Sequence, residues 1–316
     1  MSAYAAARKL AAVLTLAVAL TAAGCGGGSG SDGGGTISAD GSSTVGPYMT
    51  AAAEDFQKES PDTRITVGVS GTGGGFERFC RGETDISNAS RPIKEEEQAI
   101  CKENDVEYVE FQIANDALTV VVNQENDWAT CLTVGELNAI WKPGSKVGNW
   151  DQVRDGFPDV ALKLFGPGTD SGTFDYFTDE INGKEGASRT DYAASEDDNV
   201  IVQGVSGEKG GLGYLGFSYY EQNEDALNAV EIDGGAGCVA PSVETAQDGT
   251  YKPLSRPLYV YVEKTSFALP AVEDFIGYVL ENETAIAEKV GFVPLNDEQL
   301  AQAKDDFATA VDEATS

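Results

Sequence analysis

One local pattern recurs four times along the chain and restricts its fold more than any other feature. A short run of strand-forming residues leads into a turn rich in Gly, Ser and Thr, and a segment with apolar residues at helical spacing follows. In the first unit, TISADGSSTVGPYMTAAAEDFQKES, the residues in helical phase are Val45, Tyr48, Met49, Ala52 and Phe56. Alternating strands and helices predict an α/β protein, whose ligands usually lie at the carboxyl ends of the strands.

The other three units follow the same plan with different turns. They are RITVGVSGTGGGFERFC, TDISNASRPIKEEEQAIC and LKLFGPGTDSGTFDYFTDEI. In the middle one, Pro92 is predicted to lie in the first turn of the helix, where proline is well tolerated. The apolar residues that define a helix face are Phe76, Phe79 and Cys80 in the second unit, and Phe174, Phe177 and Ile181 in the fourth.

Two long β-rich stretches, near 107–123 and 253–263, are predicted to cross between two lobes. Lobe one would comprise 36–115 with 258–316, and lobe two would comprise 116–257. Other helical segments are predicted after the second crossing, near 270–281, 283–290 and 297–311, and within lobe two, where Thr133 and Glu136 form a capping box.

The first 24 residues have the composition of a lipoprotein signal peptide. Arg8 and Lys9 precede an apolar stretch of 14 residues, which is short for a membrane span of about 20. A short anchor helix is the alternative interpretation. Gly24-Cys25 resembles a lipoprotein cleavage box, so Cys25 is expected to become the lipidated first residue, and the Gly/Ser-rich segment 25–35 a flexible tether. We therefore expect an extracytoplasmic protein that is lipid-anchored to the cell membrane, at the bacterial cell surface or in the periplasm.

Charge and histidine content exclude several classes of function. The chain has 52 acidic and 21 basic residues, a net charge of −31, and loss of the signal peptide would leave 19 basic residues and −33. Such a surface repels nucleic acid, so no nucleic-acid partner is expected. The chain has no histidine, which removes Ser-His and Cys-His catalysis and histidine metal sites.

Four cysteines remain after the predicted cleavage: Cys80, Cys101, Cys131 and Cys238. An even number in an exported chain predicts two disulfides, for which three pairings are possible. The pairing Cys80–Cys101 with Cys131–Cys238 is favoured, and free buried thiols are the alternative. No Cys-x-x-Cys spacing occurs, so we expect no metal site and no cofactor.

The stretch GPGTDSGTFDYF, residues 166–177, has two chemical interpretations. Asp170 and the three residues after it match the letters around an aspartic protease carboxylate. That chemistry needs two carboxylates that share a proton, and a second Asp-[Ser/Thr]-Gly does not occur in the chain. The other interpretation is a set of hydroxyl and N–H donors at the start of a helix.

All four turns could supply donors to an anion. A helix N-terminus leaves backbone N–H groups unpaired and carries about half a positive charge, hydroxyls add donors, and glycine allows close approach. An acidic protein could hold an anion by such local dipoles. For each turn alone, helix capping is the simpler interpretation, and Arg91, beside the third turn, could be a solvated surface residue. Neither GSSTVG nor GTGGG completes a nucleotide-binding loop.

Over about residues 36–295 the chain resembles the phosphate-binding lipoproteins of ABC importers, the PstS-like branch of class II periplasmic binding proteins. The resemblance implies an α/β, two-lobe class II periplasmic-binding-protein fold with a hinge of two crossing strands. The segments that carry it are ADGSSTVGPYMTAAAEDF, VGVSGTGGGFERFCRGETDISNASRPI, NDALTVVVN, LFGPGTDSGTFDYF, ASEDDNVIVQGVSGEKGGLGYLGF and LSRPLYVYV.

The resemblance implies a monomer that is not an enzyme, binds inorganic phosphate between its lobes and delivers it to the permease subunits of an ABC transporter. The alternatives are a binding protein for another oxyanion such as sulfate or molybdate, a surface-tethered hydrolase, and a sensor or adhesion module. The residues implied to contact phosphate are Ser43, Thr44, Ser70, Ser90, Arg91, Ser171, Gly172 and Thr173.

Two positions depart from the pattern of the family. Many members have an Asp in the third turn that accepts a proton from the ligand, and here Ser90 occupies that position. Many also have an Arg shortly before Ser-Gly-Thr, which is absent here. Arg91 would replace the missing cation, and Asp170, or Asp197 or Asp198, would replace the missing proton acceptor.

Overall fold

The structure, a computed structural model, describes residues 35–169, 171–195 and 197–314. The predicted signal peptide, Cys25, all of the tether except Gly35, and Asp170 lie outside these residues. The strands are β1 (Thr36–Gly41), β2 (Arg64–Val67), β3 (Ile86–Ala89), β4 (Tyr108–Asn123), β5 (Cys131–Thr133), β6 (Lys163–Gly166), β7 (Ala193–Ala194), β8 (Gly211–Gly216), β9 (Leu227–Ala229), β10 (Glu231–Asp233), β11 (Cys238–Val239) and β12 (Ser255–Glu263).

The α-helices alternate with these strands and then close the chain. They are α1 (Val45–Glu59), α2 (Gly71–Phe79), α3 (Glu95–Glu103), α4 (Val134–Trp141), α5 (Gly172–Asn182), α6 (Asp198–Gly207), α7 (Phe217–Glu221), α8 (Val243–Gln247), α9 (Pro270–Glu281), α10 (Glu283–Val290) and α11 (Asp297–Ala314). In the part of the chain that the structure describes, no helix is both long enough and apolar enough to cross a bilayer.

One long mixed sheet runs through the molecule in the order β2-β1-β3-β12-β4-β8-β6-β7. The strands β1, β2 and β3 are parallel at one end, and β6, β7 and β8 are parallel at the other. Between them, β4 pairs antiparallel with β12 through residues 108–117 and with β8 through residues 118–122. The predicted crossing stretches are therefore β4 and β12, and β4 belongs to both halves of the sheet.

Two apolar cores flank these halves. The first joins β1, β3, β12 and the first part of β4 to α1, α9, α10 and α11, and includes Phe111 and Phe275. The second joins the last part of β4 with β6 and β8 to α4 and α5, and includes Trp141 and Phe177. Each buried side chain of this size contributes about 1.5–3 kcal/mol. All five apolar residues predicted for the first helix are buried in α1.

Helix starts follow the capping chemistry closely. The capping box predicted at Thr133 and Glu136 is confirmed, since each backbone N–H is bonded to the side chain of the other residue. The expectation for Pro92 is wrong, because α3 begins only at Glu95. The carboxylate of Glu97 accepts from the backbone N–H of Lys94 at 2.8 Å and so fixes the start of the helix beyond the proline.

The two disulfides are Cys80–Cys101 and Cys131–Cys238, the pairing favoured from the sequence. The first connects the end of α2 to α3. The second connects β5 to β11, the two outer strands of a small sheet with the order β11-β10-β5. It closes a separation of 107 residues, so it limits the freedom of a large part of the unfolded chain.

Candidate anion-binding site

A cavity of about 440 Å³ lies between the turns that follow β1, β2 and β3 and one face of α5. The first turn contributes Ser42, Ser43 and Thr44, and the second contributes residues 70–74. The third turn contributes Ser90, Arg91 and Lys94. These turns meet because β1, β2 and β3 are parallel neighbours, so their carboxyl ends lie at the same edge of the sheet.

The hydroxyls of Ser43 and Thr44 are not the caps of α1. Ser42 has that role, since its Oγ accepts from the backbone N–H groups of Thr44 and Val45 at 3.2 and 3.3 Å. The Ser43 hydroxyl instead donates to Asp175 at 3.4 Å, and the Thr44 Oγ1 accepts from Arg256 at 2.9 Å. Both predicted ligand hydroxyls therefore face the cavity and the opposite wall.

The second and third turns are held together by hydroxyl contacts. Ser70 precedes α2, and its side chain makes no capping hydrogen bond. Ser90 Oγ lies 3.1 Å from Thr72 Oγ1, which also accepts from the Ser90 backbone N–H at 3.3 Å. Thr72 is a cavity residue that the sequence did not single out, although it lies within the predicted SGTGGG turn.

The predicted donors Ser171, Gly172 and Thr173 lie at the start of α5 but do not line this cavity. The Ser171 side chain caps α5 by accepting from the Thr173 N–H at 3.2 Å. Gly172 approaches the first turn closely, because a Cβ on this residue would lie 3.0 Å from Thr44 Oγ1 and 3.2 Å from Thr44 Cα. A larger residue here would push the two turns apart.

Arg91 lines the cavity, but a carboxylate already occupies its guanidinium. Its Nη1 and Nη2 donate to the two carboxylate oxygens of Glu97 at 2.8 and 2.7 Å, and its Cζ lies 5.6 Å from the centre of the Phe76 ring. Glu97 raises the pKa of Arg91 further, so the charge is permanent. Arg91 is therefore placed as expected, but it is not the unpaired counter-charge that the sequence suggested.

Arg256 is the cation that sequence reasoning missed. Its guanidinium lies 3.5 Å above the Tyr176 ring of α5, donates to Thr44 of the first turn, and donates to Asp116 Oδ2 at 3.3 Å. Asp116 and Arg256 are directly opposite each other on β4 and β12. The available signal was an arginine within LSRPLYVYV, an otherwise mostly apolar strand predicted to cross between the lobes.

An acidic wall, defined here as Asp175, Asp179, Glu180 and Glu185, faces these cations across the cavity. Burial raises the pKa of Asp175, Glu180 and Glu185, and Arg256 opposes the rise in each case. Burial also raises the pKa of Asp116, against the attraction of Arg256. Asp175, Glu180 and Glu185 are therefore easier to protonate than exposed carboxylates are.

Of the three proton acceptors suggested from the sequence, the two that the structure describes, Asp197 and Asp198, do not line the cavity. Asp170 lies outside the residues that the structure describes. Asp197 and Asp198 begin α6, where the Asp197 carboxylate accepts from the Asn199 N–H at 2.9 Å and caps the helix, and neither residue lines the cavity. Among the residues that the structure describes, carboxylates near the predicted donors are those of Asp175 and, behind Arg256, Asp116.

Comparisons with known proteins agree with this arrangement of turns and crossing strands. Residues 27–283 match the sequence model of the PBP superfamily domain. Protein SphX of Synechococcus elongatus is 49% identical over 262 residues, which cover 82% of this chain and 77% of that protein. The phosphate-binding protein PstS of Staphylococcus saprophyticus is 42% identical, over 86% of this chain and 85% of the relative.

A solved structure extends the likeness to three dimensions. The crystal structure of a possible phosphate binding protein from Planctomyces limnophilus superposes with a TM-score of 0.85 at 47% identity, covering 88% of this chain and 99% of that one. The chain therefore belongs to the PBP superfamily and, within it, to the family of the PstS and SphX proteins.

Proposed function

We propose that the chain binds inorganic phosphate in the cavity between its lobes, outside the cytoplasm, and delivers it to the permease subunits of an ABC-type importer. The observation that carries this proposal is the convergence of hydroxyl groups from three turns with the guanidinium of Arg256 in one cavity. Hydroxyl donors and a fixed positive charge suit a tetrahedral oxyanion. The chain that carries this cavity is 42% identical to a protein named for phosphate binding.

The proposed contacts combine neutral donors with fixed positive charge. Ser43, Thr44, Ser70 and Ser90 supply hydroxyls, and Arg256 supplies the principal counter-charge, with Arg91 as a second cation whose field is reduced by Glu97. A charge-assisted hydrogen bond contributes roughly 1.5–3 kcal/mol net. The free energies of a few such bonds, partly offset by desolvation, sum to about −8 kcal/mol, which corresponds to a micromolar Kd.

The donors of α5 do not line the cavity in the arrangement described above, and we propose that closure of the lobes brings them to the ligand from the other side. Ser171, Gly172 and Thr173 lie at a helix N-terminus, and the close approach of Gly172 to Thr44 brings that terminus next to the first turn. We assign 36–115 with 258–316 to one lobe and 116–257 to the other, because separate apolar cores flank the strand that both share. A ligand that contacts both lobes would stabilise the closed form of such a hinge.

The proposed function also includes a location for the protein and its oligomeric state. Cys25 is the proposed lipidation site, which would hold the molecule at the outer face of the membrane beside its permease. The protein acts as a monomer and a carrier, with no catalytic step.

Another oxyanion is the second candidate ligand. Asp175 favours phosphate over sulfate in this cavity, because a carboxylate with a raised pKa beside Ser43 can share a proton with hydrogen phosphate. Sulfate at neutral pH brings no proton to share. Asp170 remains a further hypothesis for this role.

Calorimetric titration tests both the ligand and its discrimination. The purified protein is titrated with phosphate, and separately with sulfate and with molybdate, at one ionic strength. The proposal expects saturable phosphate binding with a micromolar or lower Kd and sulfate binding at least about 100-fold weaker, since a half-buried carboxylate that faces an oxyanion with no proton to share costs about 3 kcal/mol. Equal affinity for sulfate, or no phosphate binding, would overturn it.

A further inference from the structure

The two halves of the molecule also touch behind the hinge strand β4. Successive side chains of a strand point to opposite faces, so Asn115 and Ala117 point away from the face on which Asp116 holds Arg256. On this rear side, Asn115 exchanges two backbone hydrogen bonds with Val293, at 2.8 and 2.9 Å. The segment after α10 therefore runs along the back of the hinge.

This segment, residues 291–299, contacts helices from the other half. Val293 packs with Ala117, Phe217 of α7 and Ala246 of α8 in a small apolar cluster. Gln247 at the end of α8 donates from Nε2 to the carbonyl of Pro294 at 2.9 Å. In return, Gln299 Nε2 of α11 donates to the carbonyl of Gln247 at 3.1 Å.

A glycine lies at one tight point of this rear contact. Gly291 follows α10 with a φ of +83°, and a Cβ placed on it would lie 2.7 Å from the hydroxyl oxygen of Ser218 in α7. The two rear surfaces are therefore already in contact. Beside this point they flank a cavity of about 360 Å³, lined by Phe217 and Ser218 on one side and by Phe292 and Val293 on the other, so further approach is limited at Gly291 and Ser218 rather than along the whole contact.

We propose that this rear contact is a stop that limits how far the front cleft opens, and that it thereby sets the affinity for the anion. Rotation about β4 and β12 that separates Thr44 from Gly172 in front moves Ser218 toward Gly291 behind. The stop excludes widely open conformations, so less of the binding free energy is spent on closure. The anion affinity in this inference rests on the function proposed above, whereas the effect on opening does not.

Substitutions behind the hinge should change binding in two directions, although none of them touches the cavity. Ser218→Leu adds bulk to the contact, holds the rear surfaces apart and favours closure, so phosphate affinity should rise. Gln247→Ala removes the bond to Pro294, lets the rear surfaces slide and should lower affinity. Each change is expected to be about two- to ten-fold in Kd, the range that corresponds to one hydrogen bond.

Matched controls come from α6, which packs on β6 and β8. Ser206→Leu and Gln203→Ala repeat the same chemical changes there and should leave Kd within about two-fold. Small-angle scattering of each protein without and with saturating phosphate provides a second readout. Without ligand, Ser218→Leu should have a smaller radius of gyration than the parent, and Gln247→Ala a larger one.

The outcomes separate the stop from the ligand assignment. Opposite shifts in Kd and in radius of gyration for the two rear variants support the stop. Folded rear variants whose radius of gyration and Kd equal those of the parent overturn it, as do shifts of the same sign in both. If the parent binds no phosphate, the proposed function fails, and the scattering of ligand-free variants still decides whether the stop exists.

Discussion

Replacing Arg256 with methionine should be the most damaging single change to anion binding. Methionine keeps an unbranched side chain over Tyr176 but removes the guanidinium, which has five N–H donors. Two of them are engaged by Thr44 and Asp116, and Nη1 has no hydrogen-bond partner among the described residues. Loss of one charge-assisted bond of about 1.5–3 kcal/mol corresponds to a phosphate Kd about ten- to 150-fold weaker.

The same change also threatens folding, so the experiment needs a second variant. Arg256→Met leaves Asp116 without its partner, and breaking a buried pair by removing one member costs up to about 3–5 kcal/mol. Asp116 is 13% exposed, which places the expected cost at the lower end of that range. Adding Asp116→Asn removes the unpaired charge and should recover most of the stability without recovering phosphate binding.

Calorimetric titration with phosphate, together with thermal unfolding, separates the two effects. Arg256→Lys should recover only part of the affinity, because it restores the charge but not the planar fork. Arg91→Ala is the matched comparison, and its loss should be smaller because Glu97 already engages that guanidinium. A folded Arg256→Met/Asp116→Asn protein with parental affinity would refute the role of Arg256, as would a larger loss in Arg91→Ala.

Four further predictions concern other parts of the molecule. Thr44→Val should weaken phosphate binding by about two- to ten-fold in titration, because it removes one neutral hydroxyl. The raised pKa values of Asp175, Glu180 and Glu185 mean that acidification removes negative charge beside the anion. The affinity for sulfate, which brings no proton of its own, should therefore rise as the pH falls through those values, and Asp175→Asn should flatten that profile, whereas an identical profile in the variant would contradict it. Cys131→Ser with Cys238→Ser should lower the free energy of unfolding by about 2–5 kcal/mol in denaturant melts, and four reactive thiols in the native parent would contradict the disulfides. Cys25→Ala should release the protein from membranes on fractionation, and retention that only detergent reverses would argue against lipidation.

Much of the architecture could be predicted because it follows from local periodicity. The apolar positions of α1 recur at helical spacing, and the β-rich stretch that forms β4, with 16 residues, exceeds the length of ordinary strands. The position of the turns after β1, β2 and β3 then follows from parallel pairing. These inferences use neighbours in sequence, where spacing alone determines which side chains share a face.

The charge arrangement of the site could not be predicted in the same way. Arg256 meets Asp116 across 140 residues of sequence, and nothing local to either residue indicates the pair. The neighbouring turn favours Arg91 as the cation, but its partner Glu97 lies six residues further on, in the first turn of α3. Among three adjacent hydroxyl residues, only the backbone path decides that Ser42 caps α1 and that Ser43 and Thr44 face the cavity.

The shared strand β4 and its partner β12 also constrain the order in which the chain can fold. Strand β3 pairs with β12, so that Asn88 lies opposite Val260, and the first apolar core needs α9, α10 and α11 from the last part of the chain. Contacts of such long sequence separation form slowly, because loop closure must precede them. A growing chain that ends before Ser255 would expose the unpaired edges of β3 and β4, which are templates for aggregation. The first lobe to be synthesised is therefore the last that can be completed, and the nascent chain depends on protection of these edges until its C-terminal segment is available.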